Sequence, residues 1–197
     1  MKIRIVLICL FITSLVSAQR YDVLVGDLEN LKGISAYNVT FDYSNLKVHG
    51  YETEEAFLAE KMRKRENVEG KAEKFKEDWY ADRVNKYEPK FIEYFNNQFK
   101  NGEIKAAKNS EAKYTMNVKT TWVYPGYNAV AAVEPAKISA VITIFETAKP
   151  DTILIKIAFD RVIGLTTKEY DFDVGNRIAR AYEKVARNLT LQLKRFL

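Results

Sequence analysis

The sequence predicts an α+β fold: a two-layer sandwich in which helices cover one face of a four-stranded mixed sheet. Four segments alternate apolar and polar residues, as strands with one buried face do. Two charge-rich tracts carry apolar residues at helical spacing. The elements follow one another in the order β-α(α)-β-β-β-α. Because each strand has a single apolar side, helices on one face suffice to bury the sheet, and the other face is left open.

Residues 1–18 are typical of a secretory signal. Two basic residues precede an apolar run, residues 5–16, and the segment closes on the small residues Ser17 and Ala18. The run is shorter than a bilayer span, and its small residues suit a signal peptidase. We therefore expect export, with the signal peptide cleaved after Ala18 and no integral membrane span in the mature chain.

The rest of the chain reads as one domain. Residues 19–35 are interpreted as a leader segment, with a strand at residues 22–25 as the alternative, and residues 36–197 as a single α/β domain. The only cysteine, Cys9, lies in the signal, so we expect neither disulfides nor a thiolate-bound metal. The signal also supplies two of the positive charges behind the net charge of +5, which argues against a nucleic-acid partner.

The individual elements follow from their patterns. A charge-rich helix at residues 52–66 can be capped by Thr53, and an aromatic tract at residues 71–100 should kink or restart at Pro89. A final helix begins after Asp171 or Asp173. A Lys-Pro-Asp turn joins the last two strands as a hairpin. The four predicted strands are residues 37–44, 113–122, 137–144 and 153–159.

Placed in this order, residues 35–197 resemble small bacterial envelope proteins: the lipopolysaccharide-assembly lipoprotein LptE, the amino-terminal domain of TolB and CsgG-like domains. The resemblance rests on the element order, the secretory signal and the Gly-Asn-Arg-Ile start of the last helix at residues 175–178. The Trp-Val-Tyr-Pro-Gly-Tyr-Asn segment at residues 122–128 is similar to a turn in secreted proteins of the Bacteroidetes. The resemblance implies a periplasmic or outer-membrane-peripheral protein, or an extracellular one, although the chain lacks the lipidated cysteine of the assembly lipoproteins.

The same resemblance suggests one modification. Asp-Thr-Ile at residues 151–153 is similar to the acceptor of the general O-glycosylation of these bacteria, which makes Thr152 a candidate glycosylation site.

Motifs for cofactor binding and nucleophilic catalysis are missing from the sequence. His49 is the only histidine, no serine stands in a nucleophile elbow, and the eight glycines form no phosphate-binding loop. We therefore interpret His49 as a surface residue and expect no metal and no cofactor.

One enzymatic alternative stays open, a carboxylate-dependent hydrolase acting on polysaccharide or peptidoglycan. Such an enzyme needs two carboxyl groups about 5 to 10 Å apart across a cleft. Basic residues are interleaved with the acids of the second helical tract, so a solvated helix surface with i to i+4 pairing is the preferred interpretation. The candidate acids are Glu77, Asp78, Asp82 and Asp160.

The primary hypothesis is a non-enzymatic envelope protein that binds a protein, glycan or lipid partner. Loops with several aromatic residues often bind, and residues 122–135 form such a loop next to the open sheet face. The alternative places Trp122 in the core and the tyrosines over the sheet edge. Candidate partner-binding residues are Trp122, Tyr124, Tyr127 and Asn128. A basic face of the last helix, which is ordinarily solvated, is a second candidate for anionic lipid or glycan: Arg180, Lys184, Arg187 and Lys194.

Overall fold

A computed structural model describes residues 21–196 apart from residues 100, 110, 130–131 and 166–171. The expected signal, its cleavage position after Ala18 and the candidate cap Asp171 lie outside the described residues. The α+β class is confirmed, since a mixed sheet packs against a layer of helices. No helix among the described residues is both long and apolar enough to cross a membrane.

Among the described residues the sheet has seven strands, so the predicted number of four is wrong. The strands are β1 (Tyr21–Gly26), β2 (Ala36–Asp42), β3 (Lys47–Val48), β4 (Lys105–Ala107), β5 (Tyr114–Tyr124), β8 (Lys137–Glu146) and β9 (Lys149–Ile163). Their order across the sheet is β1-β9-β8-β5-β2-β4, and β3 also pairs with β5. The four predicted strands are present as β2, β5, β8 and β9. β1 contains residues 22–25, the strand expected as the alternative to a leader, whereas β3 and β4 are additions.

The connections explain why the sheet is mixed. β2 pairs in parallel with both β4 and β5, and β3 pairs in parallel with β5. Parallel neighbours need a crossover connection, which the first three helices provide. β5, β8 and β9 form an antiparallel meander, and β1 pairs antiparallel with β9. A separate two-stranded ribbon, β6 (Tyr127–Ala129) with β7 (Ala132–Glu134), projects between β5 and β8.

Two of the helices, the first and the last, begin at caps that the sequence predicts. Thr53 accepts a hydrogen bond from the amide of Ala56 at 3.1 Å, and Asp173 accepts one from the amide of Asn176 at 3.1 Å. Both caps were expected, and Asp173 is the described one of the two candidates for the last helix. The helices are α1 (Glu54–Arg63), α2 (Lys71–Asp82), α3 (Glu88–Asn97) and α4 (Val174–Leu193).

A π-helical turn, Arg83–Tyr87, joins α2 to α3 without a break. The amide of Glu88 donates to the carbonyl of Arg83, five residues earlier. Pro89 follows directly, and it can offer no amide hydrogen to the preceding turn. The sequence predicts a kink or a new helix at Pro89, and the structure has this π-helical turn instead. Its extra residue accommodates the proline, so α2 continues into α3 without interruption.

The core lies between the helices and one face of the sheet. On β8 and β9, Ile142, Ile144, Ile155 and Ile157 are fully buried, and α4 supplies the opposing apolar stripe. Ring contacts fasten α3 to β2, with Tyr37 and Phe95 edge-on at 6.3 Å. The predicted stripe residues of α4 whose side chains are described are all buried: Ile178, Tyr182, Val185 and Leu189.

The other sheet face carries no described helix. Its side chains alternate with the buried set and stay partly exposed, as Val141 and Thr143 on β8 do. Hydrogen bonds cross this face between strands: the Asn117 amide donates to Thr40 Oγ1 at 3.0 Å. The polar half of the alternation thus lies on the open side.

Two β-bulges meet at Ser139 and change which residues face that open side. The pairing of β5 with β8 shifts register between Thr120 and Trp122 of β5. The pairing of β9 with β8 shifts register between Ile138 and Ala140 of β8. Alternation within β5 had placed Trp122 on the same side as the buried Val118. The bulge reverses this, so Val123 is buried and Trp122 lies half-exposed on the open face.

Candidate ligand-binding groove

An aromatic cluster stands on the open face at the end of β5. β3 pairs in parallel with β5, and the amide of His49 donates to the Val123 carbonyl at 2.8 Å, which sets the position of the His49 ring. That ring stands edge-on to Trp122 at 5.7 Å and to Tyr124 at 4.9 Å. Trp122 and Tyr124 are nearly parallel to each other at 6.5 Å. The exposed histidine expected from the sequence is thus part of a ring cluster.

Arg161 closes the cluster from the β9 side. It sits at the bulge with a φ of 43°, a left-handed conformation that few non-glycine residues adopt. Its amide donates to Ser139 Oγ at 3.0 Å, and that hydroxyl donates to Asp160 at 2.7 Å. The guanidinium lies 5.4 Å from the ring centre of Trp122. The paired bulges therefore bring a cation over an aromatic face.

The chain turns sharply after β5, and Gly126 makes the turn possible. Its φ is +65°, and a Cβ atom at this position would come within 2.4 Å of the Glu134 carbonyl oxygen. No other residue fits such a close approach. The turn fixes Tyr124 and Tyr127 on either side of Pro125-Gly126, and Tyr127 is 46% exposed.

A hydrogen bond to a salt-bridged carboxylate holds Tyr124 in place. Its hydroxyl donates to Glu134 at 2.8 Å, and Lys137 contacts the same carboxylate at 2.7 Å. Burial, followed by the hydrogen bond to Glu134, raises the pKa of Tyr124 to about 12. The Lys137 ammonium and the tyrosine hydroxyl together lower the pKa of Glu134. Tyr124 is thus a neutral donor at physiological pH.

A groove of about 490 Å³ opens between this turn and the first two helices. We call it the aromatic groove. Rings from four parts of the chain line it: His49, Tyr51, Phe57, Phe75, Tyr124 and Tyr127. Its cations are Lys61, Lys64 and Arg65.

The cations lie over the rings. The Lys61 ammonium is 5.9 Å from the ring centre of Tyr51 and 5.5 Å from that of Phe57, and the Arg65 guanidinium is 4.2 Å from that of Phe75. Arg65 also donates to the Lys61 carbonyl at 2.8 Å. Cation–π contacts of this kind hold flexible basic side chains close to an apolar surface.

Asn128, the last predicted residue of the loop, stands on the projecting ribbon opposite Val133. Its Oδ1 atom is buried and finds no hydrogen-bond partner among the described residues. Asn128 does not line the aromatic groove, whereas the predicted Tyr124 and Tyr127 do. Trp122 reaches the groove only indirectly, through its contacts with His49 and Tyr124.

A second groove of about 520 Å³ shares Arg65 and Phe75 with the first. We call it the acidic groove because three aspartates line it, together with the cations Arg65 and Lys86. It contains Asp78 and Asp82, two of the candidate hydrolase acids, together with Asp173. Lys86 contacts Asp82 and Asp173 at 2.8 Å each. Burial raises the pKa of Asp82, and the Lys86 ammonium offsets only part of that effect.

The remaining candidate acids do not converge there. Glu77 is exposed and lies outside the acidic groove, and Asp160 is on the open sheet face with Ser139. Asp78 is paired with Lys74 at 2.9 Å, the i to i+4 pairing that the sequence predicted.

The basic face of α4 is split between two environments. Arg180 and Lys184 are half-buried, whereas Arg187 and Lys194 are exposed. Burial, with the positive charge of Arg187, lowers the pKa of Lys184. Thr152, the candidate glycosylation site, is exposed on β9.

Sequence reasoning missed the cationic part of the aromatic groove. Lys61 and Arg65 are four residues apart within the predicted helix at residues 52–66, a spacing that would place them on one helix face, whereas α1 ends at Arg63 and Arg65 lies in the turn that follows. Nothing local distinguished them from the many other basic residues of the charge-rich helix. Among the residues that the structure describes, no group of three or more histidine, aspartate or glutamate side chains is arranged to hold a metal.

Comparison with known proteins adds no further assignment. No family model, no curated protein and no solved structure matches this chain.

Proposed function

We propose that this chain is an exported, non-enzymatic protein of the bacterial envelope that binds a partner through its open sheet face and the loop at residues 122–135. The observation that carries the proposal is the ring cluster of His49, Trp122 and Tyr124 beside the aromatic groove. Exposed aromatic side chains held rigidly beside a concave surface are typical of binding sites. The secretory pattern of residues 1–18 and the resemblance to envelope proteins support the location.

Export is tested by the start of the mature protein. When the full chain is produced in a bacterium, intact-mass measurement of the exported form should give a chain that begins at Gln19. A cytoplasmic product that retains residues 1–18 would contradict the exported location.

Binding is tested with separate envelope components. Immobilised mature protein should retain one of three purified fractions: outer-membrane proteins, surface polysaccharide or lipid vesicles. Trp122→Ala and Tyr127→Ala should reduce retention, because each removes an aromatic side chain of the loop. Leu191→Ala is the matched control, since Leu191 is 51% exposed on α4, away from the groove. Equal retention by all variants, or retention of none of the fractions, would contradict the proposal.

A hydrolase is the second candidate, and the acidic groove favours it. Asp78 and Asp82 share that groove, and the raised pKa of Asp82 is a property of general acids. Purified protein incubated with polysaccharide or peptidoglycan should then release new reducing ends, and Asp82→Asn should abolish the release. Glu77→Gln, which changes an exposed acid outside the groove, is the control. Absence of products from wild-type protein would exclude this activity for the substrates used.

A further inference from the structure

We propose that the aromatic groove binds an acidic polysaccharide, a chain of sugar rings that carry carboxylates. This inference rests on the proposed binding function and names the ligand class for it. Three observations carry the inference: the rings that line the groove, the cations that line it, and the secondary structure of its walls.

The rings determine what can lie along the groove. Phe57 and Phe75 come from α1 and α2, and Tyr124 and Tyr127 come from the turn on the other side. Ligand sites of this size are mostly apolar and aromatic, with a few polar groups that orient the ligand. Sugar rings have apolar C–H faces that pack on aromatic surfaces and hydroxyls that reach polar edges. Tyr127, nearly half exposed, is available for such a contact.

The cations of the groove favour a ligand that carries negative charge. Lys64 is paired with Glu60 at 2.5 Å, whereas no carboxylate among the described residues lies within 4.0 Å of Lys61 or Arg65. Lys61 lies in the last turn of α1, and Arg65 lies two residues beyond the end of that helix. Both are near the carboxyl end of α1, where the helix dipole favours positive charge. A ligand carboxylate would gain charge-assisted hydrogen bonds from them.

The walls favour a glycan over a peptide or a membrane. Side chains of α1, of α2 and of a tight turn form most of them, whereas recognition of an extended peptide usually relies on the main chain of a sheet edge. Surfaces that bind membranes project their apolar residues into the lipid, whereas Phe57 is buried and Phe75 is half-buried in the groove floor. Stacking surfaces and cations within a concave site match a charged sugar chain.

The experiment uses the mature protein and four probes in calorimetric titrations: polygalacturonate, neutral dextran, polyglutamate and anionic lipid vesicles. Polygalacturonate should bind, and its affinity should fall as salt is raised. The double variant Lys61→Gln, Arg65→Gln should weaken binding by about tenfold or more, because two charge-assisted contacts are lost. Lys71→Gln, Lys76→Gln removes the same charge from exposed positions on α2 and should leave the affinity unchanged.

The other outcomes overturn the inference in distinguishable ways. Equal binding of polyglutamate would show that charge alone is recognised, without the rings. Binding of dextran but not polygalacturonate would reject the acidic ligand and keep the proposed binding function. Binding of vesicles alone would replace the glycan with a membrane surface. Binding of none of the probes would reject the ligand class, and the fraction-retention experiment would then decide the proposed function separately. Thermal melts verify that each variant is folded.

Discussion

The two edges of the sheet are protected in different ways. At one edge, β4 has three residues, and the side chain of Asn96 on α3 covers its outer backbone: the carboxamide donates to the Ala106 carbonyl at 2.9 Å and accepts from the Ala106 amide at 2.8 Å. At the other edge, β1 has six residues, and Val23, Leu24 and Val25 are 43%, 54% and 45% exposed. Another part of the chain covers the first edge, whereas the described residues leave these side chains of the second edge exposed.

The difference shows how a sheet limits unwanted pairing. An open edge is a template for another strand, and proteins blunt it by shortening, covering, charging or bulging the strand. β4 is short and covered. β1 has a bulge at Leu24, where its register on β9 shifts, and ends at Gly26. β1 is therefore protected by its own bulge, and its apolar side chains stay exposed to solvent.

The largest expected effect comes from Gly26→Ala, which tests how β1 is anchored. Gly26 has a φ of +73°, and a Cβ atom there would lie 2.0 Å from the Leu154 carbonyl oxygen. We expect a loss of roughly 2 to 4 kcal/mol of unfolding free energy, since the left-handed conformation costs about 1–2 kcal/mol before any clash. Chemical denaturation measures it.

Gly33→Ala is the matched control for this change. Gly33 has a φ of +79° with no atom within 4 Å of the added methyl group, so it reports the conformational cost alone. Equal losses for the two variants would show that the contact with Leu154 does not anchor β1.

Asn96→Ala should break the covered edge. The change leaves the amide and carbonyl of Ala106 without their partner, and Ala106 is only 2% exposed. We expect a loss of about 1–3 kcal/mol in unfolding free energy and faster hydrogen exchange at the Ala106 amide. Asn97→Ala, an exposed neighbour on the same helix, should be nearly neutral. If both variants are equally stable, the carboxamide does not protect the edge.

Leu24→Lys should sharpen the contrast from the exposed side. Charge on an edge strand discourages pairing, so light scattering of the concentrated protein should fall, while unfolding free energy changes by less than about 0.5 kcal/mol. Val84→Lys, at a residue 57% exposed on the helical layer, adds the same charge elsewhere. A similar decrease in both variants would assign the effect to net charge instead of to the edge.

The smallest effect concerns Asp42 at the end of β2, the strand that carries β4. Burial opposes its charge, but hydrogen bonds from the Ser44 amide and Lys119 outweigh burial and lower the pKa of Asp42 below its ordinary value of 3.8. Asp42 therefore contributes stability above that value, and the contribution is lost as the pH falls through the lowered pKa. Chemical denaturation from pH 6 to pH 2 should show that the unfolding free energy of Asp42→Asn falls less with decreasing pH than that of the wild type. Equal falls in the two proteins would contradict this.

Much of the fold could be predicted because its long strands obey a simple period. Ile138, Ala140, Ile142 and Ile144 alternate with mostly polar neighbours as expected, and all four are buried. The short strands were less visible for a physical reason, because β3 and β4 have two and three residues, too few for a period. β1 was expected only as the alternative to a leader, because its alternation runs across a bulge.

The candidate site could be predicted in part from composition. The aromatic content of the loop made Tyr124 and Tyr127 candidates, and both line the aromatic groove. Trp122 was assigned from the β5 alternation, and one extra residue reversed its side. The proximity of His49 and Arg161 to Trp122 arises from pairing between distant strands, which no local pattern reports.

The π-helical turn at Arg83–Tyr87 makes the packing of α3 on the sheet sensitive to the insertion or deletion of a residue. A straight α-helix advances about 100° per residue, so the surplus residue rotates everything after it. Phe91 and Phe95, both wholly shielded from solvent, meet β2 only in this rotated phase. Excising Asn85 would restore regular helical bonding yet swing both phenylalanines toward water. Homologous chains should therefore conserve the spacing from Trp79 to Phe91 more strictly than the residues between them.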